Sequence, residues 1–117
     1  MPKDNGIMVR ALYNPRLHGT PEVSALPSAV GKILADELPV KEGEVVVILV
    51  PQEDQTARML ELEIRAPFTP ERAANAENYL RTIYRRVQGL SFFDAVRPRP
   101  NVLKIRMVVG IEVEIFG

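Results

Sequence analysis

Apolar residues recur with a period of two in three stretches of this chain and with a helical period in two others. Ile7, Val9 and Ala11 alternate with Met8, Arg10 and Leu12, which predicts a strand over residues 7 to 13. Thr20-Pro21-Glu22 has the chemistry of a helix start: a hydroxyl cap, proline at the first helical position and an acid in the first turn. Pro27 is expected to break or kink that turn, with Ser28 capping a second piece. Val30, Ile33, Leu34 and Leu38 then follow at helical spacing and give a first helix over residues 28 to 38.

After a turn at Lys41-Glu42-Gly43-Glu44, the run Val45 to Val50 is apolar throughout and mostly β-branched, the composition of a strand buried on both faces. From Arg58 to Arg65, Leu60, Leu62 and Ile64 alternate with Glu61, Glu63 and Arg65, a strand with one wet face. Thr69-Pro70-Glu71 repeats the helix-start signature. In the helix that follows, Ala73, Ala76, Leu80, Ile83, Tyr84 and Val87 fall within a stripe about 100° wide, so one face is core. Glu77 and Arg81 are spaced for an i,i+4 ion pair, and Gly89 supplies a stop. From Leu103 to Ile115 every second residue is apolar, which predicts one long strand, bent if anywhere at Gly110.

The order strand, helix, strand, strand, helix, strand predicts an α+β fold of ferredoxin-like type. Its sheet would be antiparallel, with two helices on one face and a long C-terminal strand. A different strand order built from the same elements is the rival. Leu60, Leu62, Ile64, Leu80, Ile83, Val87, Ile105 and Met107 are expected in one core. Residues 1–117 read as one domain, with a flexible N-terminus over 1–6 and a loop over 89–100 before the last strand. The two Thr-Pro-Glu segments are explained by capping and not by an internal repeat.

Composition narrows the function. With no cysteine, neither disulfides nor thiolate chemistry are available. The longest apolar run, Val45 to Val50, is far short of the ~20 residues that span a bilayer, and the N-terminus lacks the apolar core of a signal peptide. A cytoplasmic protein with no membrane partner is expected. The 15 basic and 15 acidic residues cancel, which does not favour nucleic acid as a partner. The charges are nevertheless segregated. Acidic groups crowd residues 36 to 63 and basic ones residues 81 to 106, an arrangement that attracts a small anion or a second copy of the chain.

His18 is the only histidine, so no His-His metal pair exists, and no metal or cofactor is expected. With Arg16 it lies in the connection after the first strand, where α/β folds often place ligands. Arg97-Pro98-Arg99-Pro100 is a stiff basic segment, either a connector or a clamp for phosphate or carboxylate. Arg16, His18, Arg97 and Arg99 are therefore the candidate ligand-binding residues. Glu61 with Glu63, and Glu112 with Glu114, share strand faces; such pairs serve as acid and base or, more often, as solvated faces neutralised across the sheet by Lys104 and Arg106. Met1-Pro2 resembles the start of tautomerase-type enzymes, in which a proline exposed by methionine removal is the general base. Those enzymes begin a strand directly at that proline, whereas here Lys3-Asp4-Asn5-Gly6 intervene.

Two function classes follow. One is a homo-oligomeric ligand-binding or assembly module, the other a small metal-free enzyme, isomerase- or tautomerase-like, acting on an anionic metabolite. A nucleic-acid binder would need the basic residues of 81 to 106 in one continuous stripe. Association through strands is expected, because a straight run from Leu103 to Ile115 extends ~40 Å, about twice the usual strand length. Either the run bends sharply at Gly110 and pairs with a second part of its own sheet, or its far half, Ile111 to Phe116, adds to a neighbouring subunit. The neighbour is favoured, because the apolar edge at Val45 to Val50 needs a cover. The expected interface is Val45, Val47, Leu49, Ile111, Val113 and Ile115.

Overall fold

The computed structural model describes residues 6–15, 20–38, 40–52, 60–90, 93, 103–109 and 111–116. The elements are β1 (Ile7–Tyr13), α1 (Thr20–Glu37), a short 3-10 turn (Glu42–Glu44), β2 (Val45–Pro51), β3 (Leu60–Arg65), α2 (Pro70–Gln88), β4 (Leu103–Val109) and β5 (Ile111–Phe116). α1 runs unbroken through Pro27, contrary to the expected break. A proline inside a helix loses one backbone hydrogen bond and costs ~3 kcal/mol. That cost is met by an apolar stripe continuous across it, with Val23, Leu26, Val30, Ile33, Leu34 and Leu38 all buried. No helix among the described residues is long and apolar enough to cross a membrane.

The sheet is mixed, in the order β2-β1-β3-β4-β5. This corrects the ferredoxin-like expectation of an antiparallel sheet. β1 and β2 are parallel, β3 and β4 are parallel, and the two central strands β1 and β3 are antiparallel. Each parallel pair needs a crossover, which α1 and α2 supply. The molecule is thus two β-α-β units side by side, and the two Thr-Pro-Glu segments start the equivalent helix of each. The spacer between β2 and β3, residues 52 to 59, is too long for a tight hairpin. It easily covers the ~10 Å that separates strands two places apart.

The alternating run from Leu103 is likewise not one strand. β5 pairs antiparallel with β4, Lys104 opposite Phe116, Arg106 opposite Glu114 and Val108 opposite Glu112. The backbone of β5 thus pairs within its own chain, and the argument from an unpaired far half no longer applies.

Both helices lie on one sheet face, and α2 packs on β4 and β5 while α1 packs on β2. Between them and the sheet sit Leu60, Leu62, Ile64, Leu80, Ile83, Val87, Ile105 and Met107, none more than 1% exposed. Phe93 joins this core. Arg86 ties the helices together, donating to Glu37 Oε2 at 2.9 Å and Asp36 Oδ2 at 3.1 Å. Hydrogen bonds to these two carboxylates raise the Arg86 pKa further above its ordinary value. Glu77 and Arg81 form the anticipated pair at 2.6 Å.

β2 is an edge strand buried on one face only, a second correction. Val45, Val47 and Leu49 pack against the core, whereas Val46 and Ile48 are 51% and 43% exposed. Met8, beside Val46 in register, is 47% exposed. Ile111, Val113 and Ile115 stand opposite Val109, Met107 and Ile105.

Candidate functional site

The segment Ala66 to Thr69 leads from β3 into α2 and builds a cap. Thr69 is extended (φ −136°, ψ 150°), and its Oγ1 accepts from the Arg72 backbone N–H at 3.0 Å. Pro70 follows at the first helical position, where its missing N–H costs nothing. Beside this cap lies a groove of about 500 Å³ lined by Leu38 at the end of α1 and by Thr69, Pro70, Glu71, Arg72 and Tyr79.

Arg72 is the unusual member. A cation in the first turn meets the positive end of the helix dipole, and a buried charge is costly unless it is paired. Yet Arg72 is only 9% exposed. Its Nη1 donates to the Pro67 carbonyl at 3.0 Å. A guanidinium carries five N–H donors, so this contact leaves most of its capacity to an anion in the groove.

Two turns along α2, the Tyr79 hydroxyl donates to Glu71 Oε1 at 2.9 Å. Long side chains on a helix lean toward its N-terminus, which brings the two within reach. That hydrogen bond, then desolvation and the Glu71 charge, push the Tyr79 pKa above its ordinary value, with Arg72 opposing. The Asn75 side-chain amide donates to the Glu71 backbone carbonyl at 2.9 Å. Cation, carboxylate and neutral phenol thus meet on one groove wall. The set can neutralise a carboxylate at Arg72 and exchange a proton at Glu71.

A smaller cavity of about 120 Å³ lies at Glu63, Ile64, Arg65, Arg106 and Val108. Glu63 there accepts from Arg10 at 2.9 Å and from Arg106, so the strand carboxylate is charge-paired across three strands. Neutralisation of Glu63 by Arg106 was legible in the sequence; Arg10 is an added partner. Arg16, His18, Arg97 and Arg99 lie outside the described residues, as does Pro2. Among the described residues no three His, Cys, Asp or Glu side chains are placed to hold a metal ion. The sequence reading missed Arg72. A basic residue in the first turn, against the helix dipole, was the signal that could have found it.

No family model matches this chain, and no curated protein sequence matches it. Its backbone is nonetheless similar to solved structures. FG41 malonate semialdehyde decarboxylase inhibited by 3-bromopropiolate is 14% identical, with 86% of this chain and 81% of that one covered and a TM-score of 0.58. Pt0534 inactivated by 2-oxo-3-pentynoate is 12% identical over 87% and 83%, with a TM-score of 0.53. Native Ps01740 is 17% identical over 86% and 91%, with a TM-score of 0.52. The likeness is one of fold: a small α+β domain with a mixed sheet and two helices.

Proposed function

We propose that this chain is a small enzyme that binds a 2-oxo carboxylate in the groove at the start of α2 and shifts a proton between the enol oxygen and the adjacent carbon, an isomerase-type reaction. The observation that carries the reading is Arg72, a residue only 9% exposed that lines a groove beside a carboxylate held by a phenol. One fold hosts many chemistries, so the residues and not the fold name the reaction. The neighbours add support from ligand chemistry: one was captured with a bromopropiolate and another with an oxopentynoate, both small carboxylates.

In this reading Arg72 takes the substrate carboxylate. Glu71 accepts the enol hydroxyl proton and, as the carboxylic acid, returns a proton to the carbon, which regenerates the carboxylate. Tyr79, a neutral phenol whose hydroxyl donates to Glu71 Oε1, is a positioning donor that holds Glu71. The reading does not depend on Pro2, nor on Arg16, His18, Arg97 or Arg99.

The test is thermal unfolding with phenylpyruvate. A ligand that binds only the folded state stabilises it by ~2.7 kcal/mol at a hundred times its Kd. The unaltered protein should melt higher with the acid present, and Arg72→Gln should cancel that rise. No rise, or an equal rise in the variant, would remove the reading.

A second reading concerns assembly. Met8, Val46 and Ile48 form an apolar patch on the sheet face away from the helices, at the edge strand β2. An uncovered edge of that kind invites uncontrolled association, and a second copy of the chain is the cover proposed for it. Sedimentation should then give a dimer or larger, and Val46→Lys with Ile48→Lys should give a monomer. A concentration-independent monomer for the unaltered chain would end this proposal.

A further inference from the structure

The groove at the start of α2 carries charge of both signs, and the balance bears on which carboxylates it admits. Arg72 is the only cation among its described lining residues, and Glu71 is an anion on the same wall. Asp36 and Glu37, at the end of α1, precede Leu38 in the chain and are not part of that lining. These two share the single guanidinium of Arg86. The described lining of the groove therefore sets one carboxylate, Glu71, beside one guanidinium, Arg72, which has room for one further carboxylate.

We infer that Glu71 makes this groove selective for monoanionic 2-oxo acids and against dicarboxylates, an inference that rests on the carboxylate reading of the site. The physical reason is a difference in affinities built by repulsion. A monocarboxylate meets Arg72 and leaves its neutral end beside Leu38 and Pro70. A dicarboxylate of similar length must bring a second negative charge within several ångströms of Glu71, in a site where no further described cation waits for it. Volume does not make this distinction, since about 500 Å³ accommodates either acid.

The Glu71 charge is fixed in place. Tyr79 donates to one of its oxygens at 2.9 Å, and the Asn75 amide holds its backbone carbonyl. Glu71→Gln keeps an acceptor for Tyr79 and removes the charge. Glu71→Asp keeps the charge and shortens the arm. The two variants therefore separate repulsion from shape.

The experiment compares 2-oxoglutarate with its 5-methyl ester, two open-chain 2-oxo acids of similar shape that differ by one charge. Affinities are read by titration calorimetry at low salt, with phenylpyruvate as a reference ligand. For the unaltered protein the ester should bind at least about tenfold tighter than the diacid, the scale expected of one added like-charge contact in a solvated groove. That ratio should fall to within about threefold in Glu71→Gln and persist in Glu71→Asp. Equal affinities in the unaltered protein, or a preference that survives Glu71→Gln, would overturn the inference. So would a failure of both the diacid and its ester to bind; only if phenylpyruvate is inert as well does the carboxylate reading itself fall with it.

Discussion

Truncation of Leu80 or Ile83 to alanine should cost the protein about 2–5 kcal/mol of stability, the range for deleting a fully buried aliphatic side chain and leaving part of its cavity behind. Both side chains are 0% exposed and sit where α2 meets the sheet, in the same cluster as Leu62, Ile105 and Met107. Total stability for a domain of this size is ~5–15 kcal/mol, so either change removes a large share of it. With a urea dependence of ~1–3 kcal/mol per molar, the unfolding midpoint should fall by about 1 M or more. An unmoved midpoint would mean that the inward face of α2 lies elsewhere.

Replacing Glu71 with glutamine should lower the rate of enol-to-keto conversion of a 2-oxo acid by about 10²–10⁴-fold, the usual contribution of a positioned acid–base group. The spectrum should respond too. The Tyr79 pKa is raised first by its hydrogen bond to Glu71, then by desolvation and by the Glu71 charge. Removing that charge should move the Tyr79 ionisation, followed by ultraviolet absorbance, back down toward the ordinary tyrosine value near 10. The linked effect on stability has a definite sign. A raised folded-state pKa means that the Tyr79 contribution is complete below about pH 10, the unfolded value, and is lost as pH climbs through the folded value. Tyr79→Phe should therefore be less sensitive to alkaline unfolding than the unaltered protein. A rate that survives Glu71→Gln while the tyrosine titration shifts would remove Glu71 from the chemistry and leave its contact with Tyr79 standing.

The charged residues of the groove show where residue patterns stop being informative. Glu71 was legible as a first-turn acid, because helix starts favour negative charge. Tyr79 lies off the stripe formed by Ala76, Leu80, Ile83 and Val87, and its bond to Glu71 spans eight positions, which no i,i+3 or i,i+4 rule covers. Arg72 stands four residues before Ala76, at the margin of the stripe continued by Leu80, Ile83 and Val87, so the helical period marks its inward side. Why a charge is tolerated there is decided by partners outside the helix, such as the Pro67 carbonyl, and those the period does not contain.

What the sequence determined by itself is local. β1, β3 and α2 could be placed from alternation, from a 100° stripe and from the Thr69-Pro70 cap, because those signals arise from contacts within a few residues. The inward residues Leu60, Leu62, Ile64, Leu80, Ile83 and Val87 followed from the same periods. Strand order did not. The succession β-α-β-β-α-β is compatible with β2 beside either central strand, and only the long-range pairing of β1 with both β2 and β3 decides it. The C-terminal alternation was silent for a geometric reason. A chain folded back about position 110 sets 109 against 111, 107 against 113 and 105 against 115, so odd positions still face odd ones. The period of two is therefore identical in a straight strand and in a folded one, and only tertiary pairing distinguishes them.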